Sequence, residues 1–240
     1  MSDAERERLE VWRRGYYAQV TSVDWNVGRL LAAIDAAGAA DNTIVVFTSD
    51  HGEMFGAHGR RAKNIFYEEA CRIPLLMRWP ARIPAGLTSD ACLSTVDLLP
   101  TLGAMLQLDL PDDLEGMNLS HCAHGHAGPE PEAAFMQICG ATAAWEDGHE
   151  WRALRDKQYT YAIYRVDGKE LLFDNLADPY QQRNLAGDRA YVAVLARFRA
   201  MLQRKMAALN DTFAACTWYR DHWTDGYRNI IRSATSDFGG

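Results

Sequence analysis

Residues 43–80, TIVVFTSDHGEMFGAHGRRAKNIFYEEACRIPLLMRWP, set the fold of this chain. Thr43–Thr48 is a short run of apolar and β-branched residues that follows the turn-forming pair Asp41-Asn42, and it predicts a strand buried on both faces. Ile73–Trp79 predicts a second buried strand, stopped by Pro80 and the turn-rich PARIPAG. Between them lie a Gly-rich polar loop, 50–61, and a segment of mixed helical character, 64–71. Upstream, Tyr16, Val20, Val23, Val27, Leu30, Leu31 and Ile34 recur at spacings of three and four, which places them on one helical face, and Gly38 is a natural stop. A helix that feeds a buried strand predicts an α/β chain holding part of a largely parallel or mixed sheet flanked by helices.

Further along, Thr95–Leu108 predicts a helix with Pro100 in its first turns, where proline is tolerated. Residues 109–132, rich in Pro, Gly, Asp and His, read as a long loop. From 133 the pattern changes to short β-rich runs, AAFMQIC, WRALRDKQYTYAIYR and KELLFDN, with a hairpin signal at Asp167-Gly168. The chain is accordingly divided into 1–132, a portion of an α/β domain, and 133–240, a small α+β subdomain with an antiparallel sheet, a helix over 189–208 and an aromatic tail.

A hydrophobic content of 48% in 240 residues argues for a packed globular chain. The net charge of −7 leaves no cationic surplus for a phosphate backbone, so nucleic acid is excluded as a partner and any anionic substrate needs a local positive site. Cys71, Cys92, Cys122, Cys139 and Cys216 are odd in number and contain no C-x-x-C, which argues for reduced structural thiols. No apolar run is long enough to span a membrane, and the charged start MSDAERERLEVWRR lacks the apolar segment of a signal peptide, so the expectation is a soluble chain, cytoplasmic if Met1 is the true start.

The chemistry-bearing residues fall at the carboxyl end of the first strand, the edge where open α/β sheets bind ligands. Asp50 offers a hard anionic oxygen and His51 an imidazole nitrogen, and Gly52 lets the chain turn so that both converge on one cation; the alternative is an ordinary turn with Asp50 as its cap. Lys63 offers an ammonium for a sulfuryl or phosphoryl oxygen, with a solvated surface lysine as the alternative. His58 can donate to substrate or orient the loop, Arg60 and Arg61 add positive field, and Glu68 and Glu69 can pair with Arg72 across a helical turn. His121, Cys122, His124 and His126 have transition-metal residue types but sit in a Gly/Pro-rich loop and read as surface. Trp218, Tyr219, His222, Trp223 and Tyr227 in the tail suit either a homo-oligomer contact or packing onto their own subdomain.

The ordered blocks GYYAQVTSVDWNVGRLL, DNTIVVFTSDHGE, AHGRRAK, FYEEACRIPLLMRWP, STVDLLPTL and KELLFDNLADPYQQRNLA, over residues 14–188, resemble the sulfatase family of the alkaline-phosphatase superfamily, in its carboxy-terminal part. The resemblance implies hydrolysis of sulfuric esters, with Asp50 and His51 as ligands of one divalent cation and Lys63 in contact with the sulfate group. By family the cation is Ca²⁺ or Mg²⁺, and an imidazole at His51 admits Mn²⁺ or Zn²⁺. Such enzymes use a formylglycine nucleophile made in a C-x-P-x-R or S-x-P-x-R context. This sequence has neither, its nearest string being Cys71-Arg72-Ile73-Pro74, so the nucleophile is expected in an amino-terminal part outside this chain and the chain alone is expected to be inactive. The Asp-His-Gly version also resembles phosphonate and phosphate ester hydrolases, which leaves sulfate and phosphate both open as substrate anions. A non-catalytic remnant acting as a binding or scaffolding module is the reading from a different class.

Overall fold

The computed structural model describes residues 2–138 and 150–213, and the backbone of two short strands, β7 (Thr224–Asp225) and β8 (Asn229–Ile230). Cys139, Cys216 and the aromatic side chains of the tail lie outside the described residues.

Helix α1 runs from Asp3 to Ala36. It starts well before its apolar repeat because Ser2 and Glu5 form a capping box: the Ser2 hydroxyl accepts from Glu5 N–H and the Glu5 carboxylate accepts from Ser2 N–H at 2.7 Å. It ends where the sequence indicates. Gly38 takes a left-handed φ of 64°, and the amides of Gly38 and Ala39 donate back to Asp35 and Ile34 at 3.0 and 3.1 Å, closing a Schellman-type cap. The amino-terminal half of α1 leans on the loop that follows the first strand. Leu9 is buried near Gly56, Tyr16 meets Phe55 edge-on with centroids 4.7 Å apart, and the Arg61 guanidinium lies 4.8 Å from the Trp12 ring centroid.

Strands β1 (Val45–Thr48) and β2 (Leu75–Arg78) form where the sequence puts them and pair with each other, Val45 opposite Arg78 and Thr48 opposite Leu75. The α/β class holds, and within it this pair is antiparallel. An antiparallel pair needs no crossover helix to bring the second strand back. Neither strand is buried on both faces as expected. β1 is only partly covered and Leu76 of β2 is 63% exposed, because among the described residues no third strand flanks the pair.

Helix α2 (Glu68–Cys71) is a single turn before β2. Beyond β2, a 3₁₀ turn at Thr95–Asp97 leads into α3 (Leu98–Leu106), with Pro100 in its first turn. Buried Asp97 holds the following loop by accepting from the amides of Ser94 and Met117, both at 2.7 Å. The loop over 109–132 contains one short helix, α4 (Ser120–Ala123).

The carboxy-terminal sheet is antiparallel in the order β3 (Ala134–Ile138), β4 (Trp151–Arg155), β5 (Tyr159–Tyr164) and β6 (Glu170–Asp174). The β5–β6 connection turns at Gly168, φ 66°, as the Asp-Gly pair indicates. Alternating residues serve two cores. Leu154, Tyr161 and Leu172 pack against Leu195, Phe198, Met201 and Leu202 of α5 (Val192–Ala208). Trp151, Ala153, Ala162, Tyr164, Leu171 and Phe173 point the other way and pack against Met54, Ile65, Phe66, Tyr67 and Ala70. The segment between β1 and β2 is thus seated directly on this sheet.

Among the described residues no helix is long and apolar enough to cross a membrane.

Candidate functional site

The site begins where β1 ends. The Asp50 side chain is 84% exposed and that of His51 38%, so both are open to a ligand. Asp50 Oδ1 accepts from His51 N–H at 2.9 Å, and this bond holds the Asp50 carboxyl below its usual range. The carboxylate is thereby kept ionised and its orientation fixed.

His51 Nδ1 lies 2.8 Å from the Gly52 carbonyl oxygen. A carbonyl only accepts, so Nδ1 carries the proton in the neutral ring and Nε2 presents its lone pair. Nε2 lies 3.4 Å from Asp50 Oδ2. Two acceptors so close repel unless a proton or a cation joins them. Oxygen and imidazole nitrogen form a donor pair that suits a divalent cation, and the Nδ1–H···O=C bond is the support that metal-bound histidines usually have. The set is incomplete: among the described residues no three His, Cys, Asp or Glu side chains converge on one point.

Gly52 fixes the position of this turn. Its amide donates to the Ala70 carbonyl at 2.8 Å, and a Cβ there would stand 1.9 Å from the Glu69 carbonyl oxygen. Only glycine allows the turn to press so closely on α2.

The next residues fold the polar loop back on itself. Met54 N–H donates to Ala62 C=O at 2.9 Å, and Glu53 Oε1 accepts from the amides of Ala62 at 2.6 Å and Phe55 at 3.3 Å. These bonds carry half-buried Lys63 back to the stretch that directly follows His51. His58 does not face solvent. Its ring stacks on Tyr67 with centroids 3.7 Å apart, its Nε2 is 4.0 Å from Glu69 Oε2, and burial pushes its pKa down despite the carboxylate and a hydrogen bond to the Tyr180 carbonyl. Arg61 covers Trp12, as noted above.

Glu68 does pair with Arg72, at 3.8 Å, but its closer partner is Arg155 of β4, with two bonds of 3.1 and 3.2 Å. Glu68 N–H also donates to the buried Gln181 side chain at 2.9 Å. On the far side of Lys63, Trp151 Nε1 donates to Asn64 C=O at 3.2 Å. Sequence reasoning missed Glu53, Trp151, Arg155 and Gln181. Only Glu53 carried a signal, its place directly after Asp50-His51-Gly52; the others act from 87 to 113 residues away.

Cys71, in the string nearest to a formylglycine motif, is no nucleophile. Its Sγ donates to Ile65 C=O at 3.1 Å, and burial pushes the thiol up to about 12. Cys71, Cys92 and Cys122 are all free thiols, as expected. In the histidine-rich loop, His124 Nδ1 donates to Arg82 C=O at 3.0 Å and the rings of His124 and His126 stand 6.2 Å apart.

Residues 4–108 match the family model described as Sulfatase. The chain is 39% identical over 232 residues, 94% of its length, to an ulvan-active sulfatase of Formosa agariphila, and 31% identical over 85% of its length to an N-acetylglucosamine-6-O-sulfatase of Bacteroides thetaiotaomicron. It spans 43% of the first relative and 37% of the second, so well under half the length of each. Among solved structures, a protein in complex with its substrate D-glucosamine-2-N,6-O-disulfate aligns with a TM-score of 0.76 at 30% identity, covering 82% of this chain and 40% of the other. A phosphonate monoester hydrolase of Agrobacterium radiobacter aligns with 0.74 at 30% identity, covering 83% and 42%. The α/β fold of this chain is thus similar both to sulfatases and to a phosphonate monoester hydrolase. The chain belongs to the sulfatase family.

Proposed function

We propose that this chain supplies the cation-binding and anion-binding wall of a metal-dependent sulfuric ester hydrolase. The observation that carries the reading is the approach of Asp50 Oδ2 and His51 Nε2 to 3.4 Å at the exposed end of β1, with His51 Nδ1 bonded to the Gly52 carbonyl. Asp50 and His51 hold the divalent cation, which when bound withdraws charge from an ester oxygen. Lys63 holds a non-bridging oxygen and offsets the negative charge that grows there as the ester bond breaks. The attacking group is a formylglycine on polypeptide outside these residues, since the half-buried Cys71 thiol donates to the Ile65 carbonyl and is held protonated. Ca²⁺ or Mg²⁺ is the family expectation, and the imidazole ligand extends the range to Mn²⁺ and Zn²⁺.

A second reading keeps the same residues and replaces sulfate by a phosphonate or phosphate ester. Its support is the phosphonate monoester hydrolase, which superimposes nearly as well as the disulfate-bound enzyme.

The direct test is calorimetric titration of the chain with Mn²⁺ and Ca²⁺. Wild type should bind one equivalent weakly, because two protein ligands are few for a hard cation. Asp50→Ala should abolish binding, and equal heats from both proteins would refute the assignment. Assays of the isolated chain on aryl sulfate and aryl phosphate esters should give no turnover above the Asp50→Ala control.

A further inference from the structure

We infer that Glu53 and Trp151 are positioning residues that together present Lys63 to its anion, Glu53 from the cation-binding turn and Trp151 from the carboxy-terminal sheet. The inference rests on the reading of Lys63 as the anion-binding cation.

Lys63 stands between two non-glycine residues in the left-handed region, Ala62 at φ 63° and Asn64 at φ 75°. An alanine avoids this conformation because its Cβ crowds the backbone, and such strain persists only where the surroundings over-determine it. Here they do. Ala62 is held at both polar groups, its N–H by Glu53 Oε1 at 2.6 Å and its C=O by Met54 N–H at 2.9 Å. Asn64 C=O is held by Trp151 Nε1 at 3.2 Å. Trp151 is itself immobilised: it is buried, it lies in the middle of the aromatic cluster, and its ring meets Phe66 edge-on at 5.4 Å. The two residues flanking Lys63 are therefore tied to different bodies, Ala62 to the turn after His51 and Asn64 to the sheet, and the lysine between them projects from a held base.

The choice of a carboxylate at 53 has a chemical consequence. Its Oε1 is engaged by two main-chain amides, at Phe55 and Ala62. The charge is thus spent on ordering the loop, and the same residue ties the backbone after His51 to the backbone before Lys63. Cation site and anion site are locked in register by one side chain. A lysine stem has four rotatable bonds, so fixing its root is the part of positioning that the protein can supply before the anion arrives.

The experiment uses the full chain and the variants Glu53→Ala, Glu53→Gln and Trp151→Phe, with inorganic sulfate as the probe. Two quantities are read: amide hydrogen exchange at Phe55 and Ala62, with β5 amides as internal control, and protection of Lys63 from reductive methylation as sulfate is raised. In Glu53→Ala, exchange at Ala62 should accelerate about tenfold or more while β5 stays unchanged. Glu53→Gln, which keeps an acceptor oxygen, should restore most of the protection. Trp151→Phe keeps an aromatic ring in the cluster while removing the N–H donor together with the five-membered ring that bears it, and like Glu53→Ala it should raise the sulfate concentration for half-protection by about fivefold or more, with β5 exchange reporting any loosening of the core. Unchanged Ala62 exchange in Glu53→Ala, or equal acceleration throughout β5, would overturn the inference, as would sulfate protection indifferent to Trp151→Phe. If sulfate fails to protect Lys63 even in wild type, the anion-binding reading falls, while the exchange data still decide whether Glu53 orders the loop.

Discussion

Helix α1 and the four-stranded sheet both carry many apolar residues and treat them in opposite ways. On α1, Val20, Val23 and Leu30 are 48%, 49% and 65% exposed, and Leu9 is the one fully buried residue of its 34. In the sheet and the helix that covers it, Ala153, Ala162, Leu172 and Phe198 are completely shielded. The difference lies in what each element has beside it. The sheet is clad on both faces, by α5 and by the site segment, and its core closes on itself. The carboxyl half of α1 and the β1–β2 pair are only partly covered among the described residues, with Val23, Leu30 and Leu76 left exposed. Periodicity reports that a face is apolar; it does not report whether the covering element is present.

This contrast can be broken by mutation. The largest effect is expected for Phe198→Ala, which removes a fully buried ring from the α5 side of the sheet and should cost about 3–5 kcal/mol in chemical denaturation followed by the tyrosine signal of β5. A loss below about 1 kcal/mol would mean that the sheet is no tighter than α1. Arg155→Ala should cost about 2 kcal/mol, because it strands the half-buried Glu68 carboxylate that fastens α2 to β4. Amide exchange should show its effect concentrated in 65–71.

Acid should act on the sheet next. The Arg199 guanidinium holds the Glu170 carboxyl below its usual range, with help from the Tyr161 hydroxyl, and Arg152 does the same for Asp211. A carboxyl whose folded pKa is depressed contributes stability that is complete above its unfolded value, 4.5 for Glu170 and 3.8 for Asp211, and is lost as pH falls through the folded value. Denaturation midpoints should therefore decline below about pH 4.5, and Glu170→Gln should flatten part of that decline. His58 acts in the same direction at a higher pH. Burial depresses its pKa, so the neutral ring stabilises the loop above 6.5 and this support fades as pH drops below that value. Exchange at Ala62 should rise there before the sheet responds. The smallest effect is expected for Val23→Ala on α1, within about 0.5 kcal/mol. A larger loss would show that the exposed face is covered in solution.

Much of this was legible in the sequence because it depends on neighbours in the chain. The apolar repeat placed the body of α1, Gly38 marked its end, short apolar runs placed β1 and β2, and Asp167-Gly168 marked a hairpin. Asp50 and His51 were found at a strand end for the same local reason. Three things were not legible. The start of α1 depends on a cap at Ser2 and Glu5 rather than on apolar spacing. The direction in which β1 and β2 pair leaves no trace in either strand, since apolar runs of this kind serve both geometries. The braces behind the candidate site, Trp151, Arg155 and Gln181, are ordinary sheet or turn residues until the fold carries them across more than eighty positions.

The sheet is a single layer with the candidate site resting on one side and α5 on the other. Every strand of a single layer belongs to both cores, so the seat of the site on the sheet shares its melting temperature with the packing of α5, even where the loop above it loosens by itself. Heating should not reveal an early, site-only transition. Loss of binding and loss of the β5 tyrosine signal should instead fall on one curve, and a ligand that tightens the Asp50 to Lys63 loop should protect α5, on the opposite side of the layer, from proteolysis.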